Sequence, residues 1–251
     1  MKSYARHELI LDRVATGETV TLDELMDATG ASPSTVRRDV RALERAGHVV
    51  SLRGGAIRVE DRTSELPAAA KALINREEKT AIAHAAAGLV RDNETIYVDS
   101  GTTALELVRS LHNVRAHVIT SNTQVLALPL PKTLTVTALG GDFLPDIGSV
   151  AGTMTDRELA ELFFDRAFIG ATGVSTDAGV TTFDIREANK KRIVHSHSRE
   201  TYVLADSSKL DRVSLCRAFG LSDCTIVTDA DSPLLREARD VIVSPPVLPD
   251  E

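Results

Sequence analysis

Cysteine is nearly absent: Cys216 and Cys224 are the only two in 251 residues. One possible pair, with nothing pointing to secretion, excludes a disulfide framework and leads us to expect two reduced thiols in a cytoplasmic chain. Long apolar runs are missing too. No stretch approaches the roughly 20 residues that cross a bilayer. The opening residues, MKSYARHELILDRVATGE, interrupt their apolar positions with charges, unlike the continuous core of a secretory signal. No membrane partner is expected. Several catalytic signatures are also wanting. The Gly-rich loop closed by Gly-Lys-Ser/Thr is absent, and Ser100 lacks a Gly-x-Ser-x-Gly elbow and an obvious base. His195 and His197 stand two apart with no further ligand cluster beside them, so we expect them to face solvent in a Lys/Arg-rich helix rather than to form a metal centre. Neither metal nor cofactor is expected.

The formal charge of −7 is unevenly distributed. Residues 1–60 hold nine basic and nine acidic residues, whereas residues 61–251 hold 20 and 27 and so carry the whole excess. Within 31–58, six arginines face only Asp39 and Glu44. Nucleic-acid binding follows local basic surface rather than the sum over the chain. The asymmetry points to two domains with different partners.

Leu9, Ile10 and Val14 mark a first helix ending near Gly17. Thr21 and Glu24 have capping-box spacing and open a second helix through Leu25 and Ala28, which Gly30 stops. Ser32 is a natural N-cap for a third helix, with Pro33 in its first turn. At about 100° per residue, Val36, Val40 and Leu43 share one face while Arg37, Arg38, Arg41 and Arg45 occupy another. Two helices joined by a tight Gly-containing turn, the second bearing outward arginines, describe a helix-turn-helix with its recognition helix. Ser32, Ser34, Thr35, Arg37 and Arg38 lie at its leading end, toward base edges; Arg41 and Arg45 are placed for phosphates. Gly47 ends the helix, and HVVSLRGGAIRVE reads as two short strands around a tip where Arg53 offers a further contact, giving a winged variant. The bland alternative is a solvated arginine face balanced by Asp39 and Glu44.

The same residues carry a resemblance. Arg6, Ile10 and Val14, then after a long gap Ser32-Pro33-Ser34-Thr35-Val36-Arg37-Arg38-Asp39-Val40, resemble the helix-turn-helix signature of the DeoR family of bacterial transcriptional regulators. TVRRDV is its most specific part.

EDRTSELPAAAKAL reads as a linker running into helix. Asn75 and Glu78 have capping-box spacing before a helix of small residues. Beyond residue 95, strand-like runs near 95–99, 116–121, 134–139, 166–172, 201–206, 224–228 and 240–244 alternate with helical stretches near 103–112, 152–163, 184–197 and 233–239. Such alternation predicts an α/β domain with a mainly parallel sheet, whose ligands gather at the carboxyl ends of strands. Polar groups follow successive strands: Asp99, Ser100, Gly101, Thr102 and Thr103; Ser121 and Asn122; Gly140, Gly141 and Asp142; and DSSK, ending in Lys209. A strand, a short Gly/Ser/Thr turn and a helix can receive an anion on backbone N–H groups, with Lys191 and Lys209 supplying charge; a plain helix cap accounts for the same turn. Lys191, in NKKRIVHSHSR, also fits an ordinary solvated helix face.

DSGTT, the Gly-Gly after the third strand, FIGATGV, GVTT, REANKKRI and LADSSK extend the DeoR resemblance over nearly the whole chain. It implies a sensor domain related to ribose-5-phosphate isomerase that binds a phosphorylated sugar or sugar-derived effector. Asp99 to Thr103 would belong to that pocket, with Ser121, Asn122, Gly140, Gly141, Lys191 and Lys209 near it. It further implies a repressor of carbohydrate use that binds double-stranded operator DNA as a homodimer or homotetramer. The expected organisation is a winged helix-turn-helix over 1–58, a linker over 59–74 and an effector-binding and oligomerisation domain over 75–251. The rival reading is a sugar-phosphate isomerase-like enzyme fused to a DNA-binding domain. Thr172 and Gly173 stand where such enzymes want acids, leaving Asp99 and Glu187 as carboxylates.

Overall fold

The computed structural model describes residues 2–15, 20–45, 49–51, 56–58, 68–72 and 74–245. The chain divides into two compact units, Met1–Ile74 and Asn75–Glu251.

The first unit contains helices α1 (Ser3–Ala15), α2 (Leu22–Thr29), α3 (Pro33–Arg45) and α4 (Ala68–Lys71), with strands β1 (Val20–Thr21), β2 (Val50–Ser51) and β3 (Ala56–Arg58). The box at α2 forms in full: Glu24 N–H donates to Thr21 Oγ1 at 3.3 Å and Thr21 N–H to Glu24 Oε2 at 2.7 Å. Gly30 ends α2 in the left-handed region, at φ 62°, which glycine enters without a Cβ penalty. The chain can then turn at once into α3. Ile10, Leu11, Val14, Leu25, Val36, Val40 and Leu43 form one apolar core, closed by Val20 and Val49. Leu9, expected inside, is 39% exposed; Leu11 fills the inward position instead. β3 pairs antiparallel with both β1 and β2, the short sheet of a wing. Gly17, Gly47, Arg53 and the side chain of Arg45 fall outside the described residues.

Asp39 corrects the sequence reading. Rather than offsetting the arginines of α3, it is buried and accepts from Arg6 Nε of α1 at 2.7 Å, with His7 at 3.3 Å. Burial pushes its carboxyl up, but the bonds and charge of Arg6 and His7 outweigh that and hold it below the usual carboxylate range. α1 and α3 are thereby tied by charge as well as by apolar packing.

The second unit opens with α5 (Arg76–Ala87) and β4 (Glu94–Val98), followed by α6 (Thr102–Ser110), β5 (Ala116–Thr120) and β6 (Leu134–Ala138). A hairpin of β7 (Asp142–Leu144) and β8 (Ser149–Ala151) precedes α7 (Thr153–Ala160) and β9 (Phe164–Gly170). Next come β10 (Gly173–Ser175), β11 (Gly179–Thr182), α8 (Ile185–Ser196) and β12 (Ser198–Leu204). β13 (Cys216–Phe219), β14 (Thr225–Thr228) and β15 (Asp240–Val243) complete it. Seven strands form a sheet of order β15-β14-β12-β9-β4-β5-β6 in which every pairing is parallel. These are the seven runs expected from the sequence. One apolar cluster gathers Ile82, Ile96, Val98, Leu107 and Phe168 around α5 and α6; another gathers Tyr97, Leu159, Ile169, Val194 and Ile226 around α7 and α8. The sheet thus has helices on both faces.

Two local expectations fail. Asn75 does not cap α5: it adopts a left-handed conformation at φ 51°, makes no capping bond, and donates its amide to Asp206 at 2.8 Å. The stretch near 233–239 forms a short 3-10 turn, Pro233–Glu237, rather than an α-helix. The antiparallel sheet β10-β11-β13 and the β7–β8 hairpin had no counterpart in the sequence reading.

Substituting Asp39 by Asn should remove the charge that pairs with the Arg6 guanidinium across α1 and α3 and cost about 3 kcal/mol. We expect a lower melting transition for the first unit, read by circular dichroism. In the wild type, a carboxyl depressed by folding contributes stability above its unfolded pKa and loses it on acidification. The same unit should therefore weaken as pH falls below about 4.

Candidate functional site

On α3 the apolar residues Val36, Val40 and Leu43 are buried while Arg37, Arg38 and Arg41 are exposed. At its leading end Ser32 and Ser34 are exposed, and the Ser32 hydroxyl bonds the hydroxyls of Ser34 (3.1 Å) and Thr35 (2.9 Å). Ser34, Arg37, Arg38, Arg41 and Glu44 together line one concave surface. This is a solvent-facing basic strip on a helix whose opposite side is sealed into the core.

The second site follows from topology. The chain enters the large sheet at β4, builds outward through β5 and β6, then returns to the other side of β4 as β9 and continues through β12, β14 and β15. The direction of winding reverses between β4 and β9, and in open parallel sheets the crevice outside such a switch point receives ligands. Asp99-Ser100-Gly101 leaves β4 at that point, and Gly170 ends β9 beside it, its N–H donating to Asp99 Oδ2 at 3.0 Å. Gly101 has an ordinary extended φ of −71°, so backbone strain does not demand glycine.

α6 begins there, and no side-chain cap closes its N-terminus. The contrast with Thr21 at α2, Asp184 at α8 and Asn122 at the 3-10 turn Thr123–Ala127 is direct, since each of those accepts a backbone N–H. The first turn of a helix leaves N–H groups without intrahelical partners and carries partial positive charge. Among the described residues, the DSGTT turn does not supply its own cap, so the amides remain available to an anion.

Around this turn lies a buried polar network anchored on α8. Lys191 Nζ binds Asp99 Oδ2 and sits 4.0 Å from Glu187 Oε2. Its neighbour Lys190, fully buried, donates to Ser121 Oγ (2.8 Å), Ser149 Oγ (2.8 Å) and the Val150 carbonyl (2.9 Å), and pairs with Glu187 Oε1 at 2.8 Å. Ser100 and Ser149 donate to the two oxygens of Glu187 at 3.1 and 2.9 Å. Tyr97 closes the ring, its hydroxyl 3.0 Å from Ser121 Oγ and 3.5 Å from Asp99 Oδ1. Burial, reinforced by Asp99, pushes the Tyr97 hydroxyl well above its ordinary value and keeps it neutral. Burial also pushes Asp99 up, but Lys191 and then Lys190 outweigh it and hold that carboxyl low and ionised.

Asp99, Ser100, Ser121 and Lys191 therefore meet in one network. Asn122 joins its edge, reaching the Gly101 carbonyl at 3.4 Å and bridging backbone to Ser149. Thr102 is half-buried and Thr103 buried in the first turn of α6. Gly140 and Gly141 serve the packing of α7: Thr155 Oγ1 donates to the Gly140 carbonyl at 2.7 Å, and a Cβ on Gly141 would stand 2.0 Å from that hydroxyl. Lys209 follows β12 in the 3-10 turn Ser207–Lys209, where its charge lowers Asp206, a carboxylate also bound by Asn75 and Ser208. Tyr97, Ser149 and Lys190 were not foreseen as site residues. Only the 187–190–191 spacing, which brings three charges to neighbouring faces of one helix, hinted at Lys190.

NKKRIVHSHSR is not a solvated face, since Lys190, Lys191 and Val194 are buried. His195 and His197 are half-buried, stacked on Phe219 and Phe163 at 4.2 and 4.9 Å. Among the described residues no His/Cys/Asp/Glu group could hold a metal ion, and no helix is long and apolar enough to cross a membrane. Cys216 and Cys224 are unpaired thiols, and burial raises that of Cys224 to about 12.

The sequence profile of the DeoR-like helix-turn-helix domain matches residues 6–62, and that of the DeoR C terminal sensor domain matches 74–230. The chain is 34% identical to the uncharacterized HTH-type transcriptional regulator FruR of Bacillus subtilis over 89% of each chain. It is 31% identical to the lactose phosphotransferase system repressor of Lactococcus lactis, covering 84% of this chain and 85% of that one. It is 29% identical to the transcriptional repressor AccR of Agrobacterium fabrum over 92% of each. Among solved structures, ribose 5-phosphate isomerase A from Methanocaldococcus jannaschii is similar at 24% identity and a TM-score of 0.39, covering 54% of this chain and 55% of that one. That likeness is too slight to carry function. The profiles and the full-length relatives agree with a basic helix-turn-helix followed by a parallel α/β unit: this chain belongs to the DeoR family of transcriptional regulators.

Proposed function

We propose that the protein is a repressor of a carbohydrate-utilisation operon, released from or retained on its operator by a phosphorylated sugar or related metabolite. In this reading residues 1–58 bind DNA, 59–74 connect, and 75–251 sense and oligomerise. The observation that carries the sensing role is the uncapped N-terminus of α6 at the sheet's switch point, beside the buried Lys191. Such a helix end can receive a phosphate on N–H groups that no side chain among the described residues caps. Names among the relatives, a lactose phosphotransferase system repressor and a transcriptional repressor, support both the repression and the link to sugars.

On DNA, the exposed Arg37 and Arg38 near the start of α3 face base edges in the major groove, with Ser34 and Thr35 beside them, while Arg41, Arg45 and Arg53 serve phosphates. One recognition helix buries too little surface for tight specific binding, so a homodimer or homotetramer on paired half-sites is required. The acidic balance of 61–251 discourages that part from lying on DNA and suits a chain working in the cytoplasm. The effector acts by preferring one arrangement of the assembly over another, because a ligand shifts an equilibrium only through differential affinity.

A catalytic role finds little support. An isomerase needs a carboxylate free to take a proton from carbon, and both carboxylates here are held by lysines, Glu187 by Lys190 and Asp99 by Lys191.

Operator binding titrated against a panel of phosphorylated sugars and polyols is the direct test: one member should change operator affinity, and no response across the panel would overturn the sensing role. Arg37→Ala should cost about 1–3 kcal/mol of operator affinity and relax preference at one base position, and Arg41→Ala should reduce the salt slope by about one. Unaltered binding by both variants in a salt series would remove α3 from the groove. Thr102→Glu should bind operator normally yet ignore the effector, since a carboxylate at the α6 N-terminus repels a phosphate. A normal response would exclude that turn as the phosphate site.

A further inference from the structure

Before any ligand arrives, the buried end of the strand-end site is electrically balanced, with Lys190 and Lys191 against Glu187 and Asp99. The two pairs are built differently. Glu187 is held from three sides: Oε1 by Lys190 at 2.8 Å and Ser149 at 2.9 Å, Oε2 by Ser100 at 3.1 Å. Lys190 is held as firmly, by two hydroxyls and a carbonyl besides Glu187. Asp99 has no exposed surface, and Lys191 is the ammonium bonded to it. Its other hydrogen-bond donors are neutral: the Gly170 N–H from β9 at 3.0 Å, the Ser100 N–H, and the Tyr97 hydroxyl from β4 at 3.5 Å, itself bonded to Ser121 just after β5. Among the described residues, the charges acting on Asp99 are those of Lys191 and then Lys190, both from α8, with Glu187 of the same helix 4.0 Å from Lys191 Nζ.

A phosphate monoester carries nearly two negative charges at neutral pH. Brought to the α6 N-terminus, two residues along from Asp99, it would leave this balanced site with an excess of about two negative charges in a region shielded from water. Uncompensated charge in such surroundings costs several kcal/mol. Protonating a carboxylate removes half of that excess. Glu187 keeps Lys190 bonded to it whatever Lys191 does, so Asp99 is the carboxylate that faces the dianion after losing its bonded ammonium, with only the more distant charge of Lys190 left to offset it.

We propose that Asp99 is an internal stand-in for the ligand's phosphate: on binding, Lys191 passes from Asp99 to the phosphate oxygens, and Asp99 takes up a proton from solvent. This rests on the reading of the site as a receptor for a phosphorylated metabolite. It adds that effector binding is proton-linked and weakens as pH rises. With Lys191 withdrawn and a dianion beside it, both burial and charge drive the Asp99 carboxyl upward.

The linkage is measured by calorimetry on the full chain near pH 7.5, well above the phosphomonoester pKa of about 6, in phosphate-free buffers of low and high ionisation enthalpy. Ribose 5-phosphate, fructose 1-phosphate and fructose 6-phosphate serve as probes. A bound phosphate that sheds its last proton gives release, so net uptake must come from the protein. We expect uptake approaching one proton per site, and affinity falling by up to about tenfold per pH unit above neutrality. Asp99→Asn should abolish the uptake and flatten the pH dependence while binding the probe at least as tightly. Binding without uptake in the wild type, or uptake that persists in Asp99→Asn, overturns the exchange and leaves the receptor reading intact. Failure of all three probes to bind overturns both. If the variant does not fold, the two-buffer measurement on the wild type decides alone.

Discussion

Two consecutive lysines at the middle of α8 organise the strand-end site. Adjacent residues on a helix point about 100° apart, so Lys190 and Lys191 reach different strands from one backbone position. Lys190 joins Ser121 after β5 to Ser149 of β8, and Lys191 joins Asp99 after β4. Buried ammonium groups cost several kcal/mol each unless paired and hydrogen-bonded. Glu187, one turn earlier on α8, answers that cost for Lys190. The rest of the site follows: Ser100, Ser149 and Tyr97 take positions that satisfy the remaining lone pairs and protons of these four charges.

Buried ionic ties serve opposite ends in the two units. In the first, Arg6 draws Asp39 inward, so one of the two acids of α3 joins α1 to α3 while Glu44 stays beside the arginines. The outer strip keeps a positive field, and the core gains a cross-helix tie. In the second, charges are gathered inward and cancelled in pairs. The arrangement suits the partners proposed above: a polyanion met at the surface, and a small phosphorylated metabolite met in a crevice.

Helix capping bears on two readings of the DSGTT turn that sequence spacing leaves equal. A side chain closes the helix start at Thr21, Asn122 and Asp184, whereas α5, α6 and α7 begin without a side-chain cap. At α6 the neighbouring hydroxyl of Ser100 is turned to Glu187 instead, and the helix start remains uncapped. An amide cluster left open at the switch point of a parallel sheet is the physical content of the proposed sensor.

Much of the architecture was legible in the chain alone. Apolar runs of strand length, separated by helical periods, located all seven strands of the large sheet: the five inner ones are buried along most of their length, and the edge strands β6 and β15, though largely open, keep the same strand-length runs. The box at Thr21 and Glu24, the stop at Gly30 and the two faces of α3 could be read because they depend on contacts within a few residues. The same spacing at Asn75 and Glu78 misled: a long-range bond from Asn75 to Asp206 outcompetes the local cap. The strands β10 and β11 escaped because three or four residues with every side chain buried show no alternation, and β13 because four residues are too few to show a period. Lys190 escaped because lysine in a basic run ordinarily faces water. Sequence by itself determined the order of elements, the basic helix and the polar strand ends, since these are set by local periodicity and composition. Tertiary structure decided which charges are buried and whom each one faces. That choice balances desolvation against partners brought together from distant strands, and no local pattern encodes it.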